Sequence, residues 1–305
     1  MTSRGQFPDE QGESGEFERQ DDEFREEIGA QDAQAGRYHL YVSLACPWAH
    51  RTLILRHLLG LEETIGASVV DPVRDERGWC FGEGDGFSPD PINDFDFLSQ
   101  AYLATDDSFG GRVTVPALWD KQQGKIVNNS EDDICRMFQE RFAADDAPDF
   151  FPDELAEDQD LLSEFVYERI NNGVYKAGFA TTQDAYAKAA HTLFEALDDL
   201  EMRLANQRYL LGDQIVETDW RLFCTLIRFD PVYVGHFKCN LRRIVDYPNL
   251  SGYLRELYQL PGIAGTVNFD HIKRHYYVTH DDINPTGIVP VGPQMDLDSP
   301  HGRDR

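Results

Sequence analysis

The chain has 305 residues, which is enough for two ordinary domains and far beyond the size that needs disulfides or metals to hold a core. Its 55 acidic and 28 basic residues give a formal net charge of -27. Such a charge repels phosphate backbones and anionic lipid surfaces, so neither nucleic acid nor a membrane is expected as a partner.

The basic residues and the cysteines indicate the environment in which the chain works. Arginine supplies 22 of the 28 basic residues, and the acidic excess runs along the whole chain, which favours a halophilic protein over an ordinary acidic one. No N-terminal apolar segment resembles a signal peptide, and a cytoplasmic protein is expected. The five cysteines include no C-x-x-C pair and the histidines no ligand spacing, so neither a disulfide framework nor a metal site is predicted.

Residues 1–36 form an acidic arm that is rich in Asp, Glu, Gln and Gly and poor in β-branched residues. Phe17, Phe24 and Ile28 recur in it near helical or turn spacing. The pattern predicts that the arm is partly docked on the folded body.

Residues 37–147 carry the pattern of a small α/β domain. Alternating apolar residues predict strands, and helical periodicity predicts helices. In chain order these are a strand at 38–42, a helix that begins at 47 and stops at Gly60, three strands at 67–70, 113–119 and 125–128, and a helix at 132–142. Between them, residues 71–96 form a polar insertion that is long for a simple connection. Pro116 interrupts an apolar strand, which predicts a cis Val115-Pro116 bond and leaves the Val115 backbone for a ligand, with an ordinary edge-strand proline as the alternative.

Residues 154–282 are predicted to form an all-helical domain, and residues 283–305 a tail rich in Pro, Gly and Asp on its surface. Apolar residues at spacings of three and four predict helices at 161–170, 185–205, 218–229 and 250–257. Asp219 lies near the start of the third of these, where a carboxylate can accept hydrogen bonds from backbone N–H groups.

Cys46 is predicted to be a working thiol, because Pro47 suits the first position of a helix and places the cysteine at the helix N-terminus. The helix dipole and the unpaired N–H groups there favour the reactive thiolate. A small buried core cysteine is the alternative, and it is the preferred interpretation of the others: Cys80, Cys135, Cys224 and Cys239.

Ser130 and Glu131 lie between a predicted strand and a predicted helix. A hydroxyl, a carboxylate and free N–H groups at such a place can bind the α-amino and α-carboxyl groups of an amino acid. By itself the pair is only a candidate for a helix cap.

Several long motifs follow one another from about residue 15 to about residue 293. They are Cys46-Pro47-Trp48-Ala49-His50-Arg51, Gly78-Trp79-x-Phe81, the segments 111–120, 126–129 and 171–180, Asp219-x-Arg221-Leu222-Phe223, and the segment 270–277. Together they resemble the glutathione transferase superfamily, and within it the glutathionyl-hydroquinone reductases of the Xi class. The resemblance implies a thioredoxin-like α/β N-terminal domain followed by an all-α C-terminal domain, and a homodimer.

The resemblance also implies a reaction and its residues. Cys46 would attack the sulfur of a glutathionyl-hydroquinone, release the hydroquinone and form a mixed disulfide, which a second thiol then reduces. Glutathione would be the co-substrate, held by five residues: Trp79, Arg112, Val115, Ser130 and Glu131. Tyr175 and Tyr276 would contact the hydroquinone ring and its hydroxyls, which suits the flat apolar face and polar tip of tyrosine.

One departure concerns the thiol. The family usually reads Asn-Glu-Ser at the turn that binds the γ-glutamyl group, whereas here Asn129 is followed by Ser130 and Glu131. The shifted carboxylate, together with the salt-adapted composition, suggests a smaller native thiol such as γ-glutamylcysteine.

Two other functions fit the same residues. An omega-type thiol transferase or dehydroascorbate reductase also begins its first helix with Cys-Pro, but the segment 171–180 favours the hydroquinone reductase. A non-catalytic binding protein that kept the fold is the other alternative, and the presence of Cys46 with Tyr175 and Tyr276 argues against it.

Overall fold

The computed structural model describes residue 12 and residues 14–303, so most of the first third of the acidic arm lies outside the described residues. The chain divides into two compact units, each assembled from separate segments. The sheet unit comprises Asp21–Asp149 and Gly265–His275, and the helical unit comprises the other residues that the structure describes.

The sheet unit is built on a four-stranded mixed sheet with the order β2-β1-β3-β4. The strands are β1 Tyr38–Val42, β2 Gly66–Val69, β3 Ala117–Asp120 and β4 Lys125–Asn128. β1 pairs in parallel with β2, and the other two pairs are antiparallel. All of β1 is buried, as expected for a central strand with side chains packed on both faces.

The strands predicted at 38–42, 67–70 and 125–128 are confirmed, whereas the one predicted at 113–119 is shorter. It begins only at Ala117, because Pro116 has no N–H group for the ladder and the residues before it form a loop. The Val115-Pro116 bond is cis, as the sequence predicts.

The helices of the sheet unit are α1 Pro47–Leu58, α2 Leu98–Thr105 and α3 Glu131–Met137, which a π-helical turn extends through Phe138–Phe142. The predictions of α1 and α3 are confirmed. α2 was not predicted from the sequence, although Leu98, Ala101 and Tyr102 give it a buried face.

The acidic arm contributes to the sheet unit through residues 24–26. The Glu26 N–H donates to the Val127 carbonyl at 2.9 Å, and the Asn129 N–H donates to the Phe24 carbonyl at 2.9 Å. These bonds satisfy backbone groups along the outer strand β4, which otherwise presents an unpaired edge.

The helical unit contains α4 Ala156–Val166, α5 Asn172–Gly178, α6 Gln183–Asn206, α7 Glu217–Arg228 and α8 Pro248–Tyr258. The helices predicted at 185–205, 218–229 and 250–257 are confirmed, and the one predicted at 161–170 is part of a longer run from α4 through a π-helical turn into α5. A further helix, α9 Phe269–Thr279, was not predicted, and the boundary between the units falls inside it.

Asp219 caps the start of α7 as predicted. Its carboxylate accepts hydrogen bonds from the Val216 N–H at 2.9 Å and the Leu210 N–H at 3.0 Å. The Tyr253 hydroxyl donates to the same group at 2.6 Å. These donors offset the cost of burying a charge in α7, every residue of which is buried.

Candidate active site

Cys46 occupies the N-cap position of α1, directly before Pro47 at the first helical position. Its extended backbone, with φ of -74° and ψ of 123°, ends the loop after β1, and its carbonyl accepts the first helical hydrogen bond from the His50 N–H at 3.0 Å. The side chain is half-buried. The thiol therefore lies in the field of the helix N-terminus, where a thiolate is favoured.

Val115 lies within hydrogen-bond distance of this thiol. The Cys46 Sγ donates to the Val115 carbonyl across 3.4 Å, on the loop that precedes the cis proline. The structure thus brings together two of the residues that the sequence singled out, which are separated by 69 positions.

Ser130 and Glu131 lie at the start of α3, Ser130 at the N-cap and Glu131 in the first turn. The Glu131 carboxylate lies 3.0 Å from the Arg51 Nη2, and both side chains are buried. Arg51 also forms an ion pair with Asp132. A buried carboxylate of this kind needs a charge partner, so Arg51 on α1 fixes the orientation of Glu131.

Arg51 was not among the predicted site residues. Its position in the Cys46–Arg51 motif was the signal that could have identified it. The structure shows that it is buried beside a predicted ligand-binding residue. Only the folded chain shows that its partner is Glu131.

Trp79 is 5% exposed and stacks on His275, with ring centroids 5.0 Å apart and an angle of 21° between the planes. The guanidinium carbon of Arg74 lies 5.4 Å from the centre of the Trp79 ring. Arg112 is half-buried in the loop between α2 and β3, shortly before Val115. Trp79 is therefore held by residues that sequence reasoning did not select.

Three histidines attach residues 265–275 to the rest of the sheet unit. The His50 Nε2 lies 2.7 Å from the Thr266 Oγ1, and the His271 Nε2 lies 2.7 Å from the Asp85 carbonyl oxygen. The His275 Nδ1 lies 2.7 Å from the carbonyl oxygen of Pro72. A segment from the C-terminal half of the sequence thus helps to shape the loops around Trp79.

In the helical unit, Tyr175 on α5 and Tyr276 on α9 meet at their hydroxyls, which are 2.5 Å apart. The Tyr233 hydroxyl lies 3.0 Å from that of Tyr276. Burial raises the pKa of Tyr233 and of Tyr276 well above the usual value, and the nearby Arg228 only partly offsets this. The Tyr233 and Tyr276 phenols therefore stay protonated at neutral pH. Sequence reasoning missed Tyr233, which carries no motif signal of its own.

The other cysteines differ from Cys46 in their surroundings. Cys135, Cys224 and Cys239 are buried, and Cys80 is half-buried. Burial raises the pKa of the Cys80 thiol and that of the Cys239 thiol. Both shifts disfavour the thiolate and agree with a structural interpretation of these residues.

Within residues 14–303, no group of three or more His, Cys, Asp or Glu side chains is placed to hold a metal ion. None of the described helices is long and apolar enough to cross a membrane.

Family models match both halves of the chain. Residues 45–141 match the model of the glutathione S-transferase N-terminal domain, and residues 183–256 match that of the C-terminal domain.

The chain is similar to curated proteins along most of its length. It is 55% identical over 275 residues to the glutathionyl-hydroquinone reductase YqjG of Escherichia coli, covering 89% of this chain and 84% of that protein. It is 48% identical over 302 residues to the glutathionyl-hydroquinone reductase PcpF of Sphingobium chlorophenolicum, covering 96% and 95%. The glutathione-bound structure of the Escherichia coli protein matches with a TM-score of 0.90 at 52% identity, covering 92% of this chain and 96% of that one.

Proposed function

Since the chain belongs to the glutathione transferase superfamily and, within it, to the glutathionyl-hydroquinone reductases of the Xi class, we propose that Cys46 is the nucleophile of its reaction. The enzyme reduces glutathionyl-hydroquinones to hydroquinones with glutathione. The observation that carries the assignment of Cys46 is its place at the N-cap of α1, half-buried and before Pro47.

The proposed reaction has two displacements at sulfur. The Cys46 thiolate attacks the thioether sulfur of the conjugate, and the carbon–sulfur bond breaks. The bonding pair goes to the ring carbon, which takes up a proton, and Cys46 is left in a disulfide with glutathione. A second glutathione thiolate attacks this disulfide, so that glutathione disulfide leaves and the Cys46 thiolate is restored. The net reaction consumes one free glutathione for each conjugate and yields the hydroquinone and glutathione disulfide.

We propose that the thiol is held in the sheet unit by the five predicted residues, Trp79, Arg112, Val115, Ser130 and Glu131. Ser130 supports this by its place at a helix N-terminus, where backbone N–H groups suit a carboxylate. Glu131 suits an ammonium group, and Arg51 orients its carboxylate. The Val115 backbone suits a peptide-like ligand that extends along the loop.

Tyr175 and Tyr276 are the proposed contacts of the hydroquinone. Their hydroxyls are already hydrogen-bonded to each other at 2.5 Å, so a hydroquinone hydroxyl that binds either phenol has to share or replace this bond. The aromatic faces around them suit a flat ring.

The test of the nucleophile is the turnover of a glutathionyl-hydroquinone by the wild type, by Cys46→Ala and by Cys80→Ala. We expect Cys46→Ala to lose activity by a factor on the order of 10³ or more, because no other thiolate can form the mixed disulfide. Cys80→Ala is the matched control, since it removes the other half-buried cysteine. Full activity of Cys46→Ala would refute the proposal. If the wild type does not turn over the conjugate but does reduce dehydroascorbate, the omega-type transferase would be favoured.

The native thiol is a separate proposal. Because Glu131 stands where the family usually has serine, and its carboxylate is held by Arg51, we propose γ-glutamylcysteine or a similar small thiol as the physiological reductant. Turnover of the glutathionyl and γ-glutamylcysteinyl conjugates, each with its own thiol, gives kcat/KM for both. We expect the γ-glutamylcysteine pair to be favoured by about tenfold, the effect of one well-placed charged contact. Equal values, or a preference for glutathione, would contradict this.

The resemblance also suggests a homodimer, and the thiol chemistry suggests the cytoplasm, where free thiols stay reduced. Light scattering during size-exclusion chromatography tests the dimer directly. A monomeric mass in both low and high salt would exclude it.

A further inference from the structure

The acidic arm lies against the helical unit at residues 14–19. The Thr181 N–H donates to the Gly15 carbonyl at 3.1 Å, and the Thr182 hydroxyl donates to the Ser14 carbonyl at 3.1 Å. Glu16 forms an ion pair with Lys188 on α6, at 2.9 Å. The arm is thus fixed at its start by main-chain bonds near the beginning of α6.

Arg19 then reaches two residues on one face of α5. Its Nε donates to the Asn172 Oδ1 at 2.8 Å, and its guanidinium carbon lies 4.9 Å from the centre of the Tyr175 ring. Asn172 and Tyr175 are neighbours on the helix surface, because residues at this spacing lie on successive turns. One guanidinium therefore contacts both, through a hydrogen bond and through the face of an aromatic ring.

Phe17 extends this contact to the end of the helix. Its ring is 3% exposed and lies 6.4 Å from the Tyr175 ring and 5.4 Å from the Phe179 ring, measured between centroids. The arm therefore contacts α5 at Asn172 and Tyr175, and Phe179 directly after the end of this helix.

Tyr175 is consequently fixed at its ring by the arm and at its hydroxyl by the Tyr276 hydroxyl. We propose that Arg19 is a positioning residue for Tyr175, and that the arm belongs to the part of the enzyme that handles the hydroquinone. This inference rests on the proposed role of Tyr175. Arg19 suits the task because a planar guanidinium can stack on a ring while its N–H group makes a directed hydrogen bond, which a lysine cannot reproduce.

The test measures steady-state kinetics of the full chain with a glutathionyl-hydroquinone. We expect Arg19→Ala to lower kcat by about tenfold while the KM for glutathione stays unchanged, because the thiol is handled by the sheet unit. The rate of Cys46 alkylation should also equal that of the wild type. Arg19→Lys keeps the charge and should recover part of kcat.

Two further variants separate positioning from folding. Arg19→Gln keeps a donor for Asn172 without the cation, and it should show a lower kcat at a wild-type Tm. Glu16→Gln removes an exposed ion pair of the same arm. It should retain the wild-type kcat, because such pairs contribute little to the stability of the folded chain. Wild-type kcat in Arg19→Gln would overturn the inference, and so would equal losses in Glu16→Gln and Arg19→Ala.

Tyr175→Phe distinguishes this inference from the proposed function. If Tyr175→Phe keeps full activity, the proposed role of Tyr175 is wrong, and the inference falls with it. If Tyr175→Phe is impaired while Arg19→Ala and Arg19→Gln are not, only the inference is wrong. When Tyr175→Phe and Arg19→Ala are each impaired, Arg19→Ala should have little further effect in the Tyr175→Phe background, because Arg19 is proposed to position the hydroxyl that Tyr175→Phe removes. Additive losses would contradict a role through Tyr175.

Discussion

At the scale of single residues, the surroundings of a side chain decide its chemistry more than its type does. Cys46 and Cys239 are both free cysteines, yet one is half-buried at a helix N-terminus and the other is fully buried with a raised pKa. Glu131 illustrates the same point, since its buried carboxylate is matched by Arg51. Neither difference follows from the residue itself, because burial and partners are set by distant parts of the chain.

His39 on β1 gives a prediction about pH. It is 4% exposed, its Nε2 lies 2.7 Å from the Ser68 Oγ, and burial lowers the pKa of its imidazole to about 4. The unfolded chain titrates near the usual value of about 6.5, so the folded state binds fewer protons between the two values. Stability from the neutral ring is therefore complete above about pH 6.5 and is lost as the pH falls towards 4.

We expect the free energy of unfolding to fall between pH 7 and pH 5 by about 2 kcal/mol more in the wild type than in His39→Gln, which cannot titrate. Urea unfolding at the two pH values measures this difference. His191→Gln is the control, since His191 is exposed on α6. Equal slopes for the wild type and His39→Gln would show that His39 does not resist protonation.

At the scale of elements, the sequence periodicity predicted most helices and strands. It did not predict to which of the two units each element belongs. α1 begins at Pro47 and ends before Gly60, which has a φ of 67°, as Pro and Gly at these positions predict. α9 could not be assigned in this way. It contributes His275 to the sheet unit and Tyr276 to the helical unit, although the two residues are adjacent.

His275 leads to a prediction about thiol binding. Its ring stacks on Trp79, and its Nδ1 lies 2.7 Å from the Pro72 carbonyl oxygen. Because the stack holds Trp79 in place, we expect His275→Ala to weaken glutathione binding by about tenfold, the effect of losing one aromatic pair. Since the chemistry is assigned to Cys46, kcat should change by no more than about twofold.

Isothermal titration with glutathione measures the first effect, and turnover at saturating thiol measures the second. His191→Ala is the control, because it removes a histidine that is exposed on α6. A fall in kcat without a change in affinity would mean that His275 supports the reaction instead of the thiol site.

At the scale of the whole molecule, the net charge of -27 gives a prediction about salt. At low ionic strength the acidic surface repels itself, and at about 1 M salt the screening length falls to about 3 Å. We therefore expect the Tm to rise by about 5 °C or more between about 0.1 M and 2 M potassium chloride. Chloride is the suitable anion, because sulfate strengthens apolar burial in any protein. A constant or falling Tm would contradict salt adaptation.

The sequence by itself determined the two-part architecture, most of the regular elements, the cap at Asp219 and the family. These depend on local periodicity, on the residues at helix ends and on motifs that can be compared directly. The predicted strand at 113–119 was too long, because Pro116 has no N–H group for the ladder. The helices α2 and α9 were not predicted, because tertiary burial stabilises them in place of a clear local signal.

Only the tertiary structure decided which residues meet. Arg19 and Asn172 are 153 positions apart, Tyr175 and Tyr276 are 101 apart, and His50 and Thr266 are 216 apart. No local pattern encodes such pairs, because they form when separate elements pack and bury their polar groups together. For this reason, the contacts that Arg51, Arg19, His275 and Tyr233 make with the candidate site residues became visible only in the folded chain.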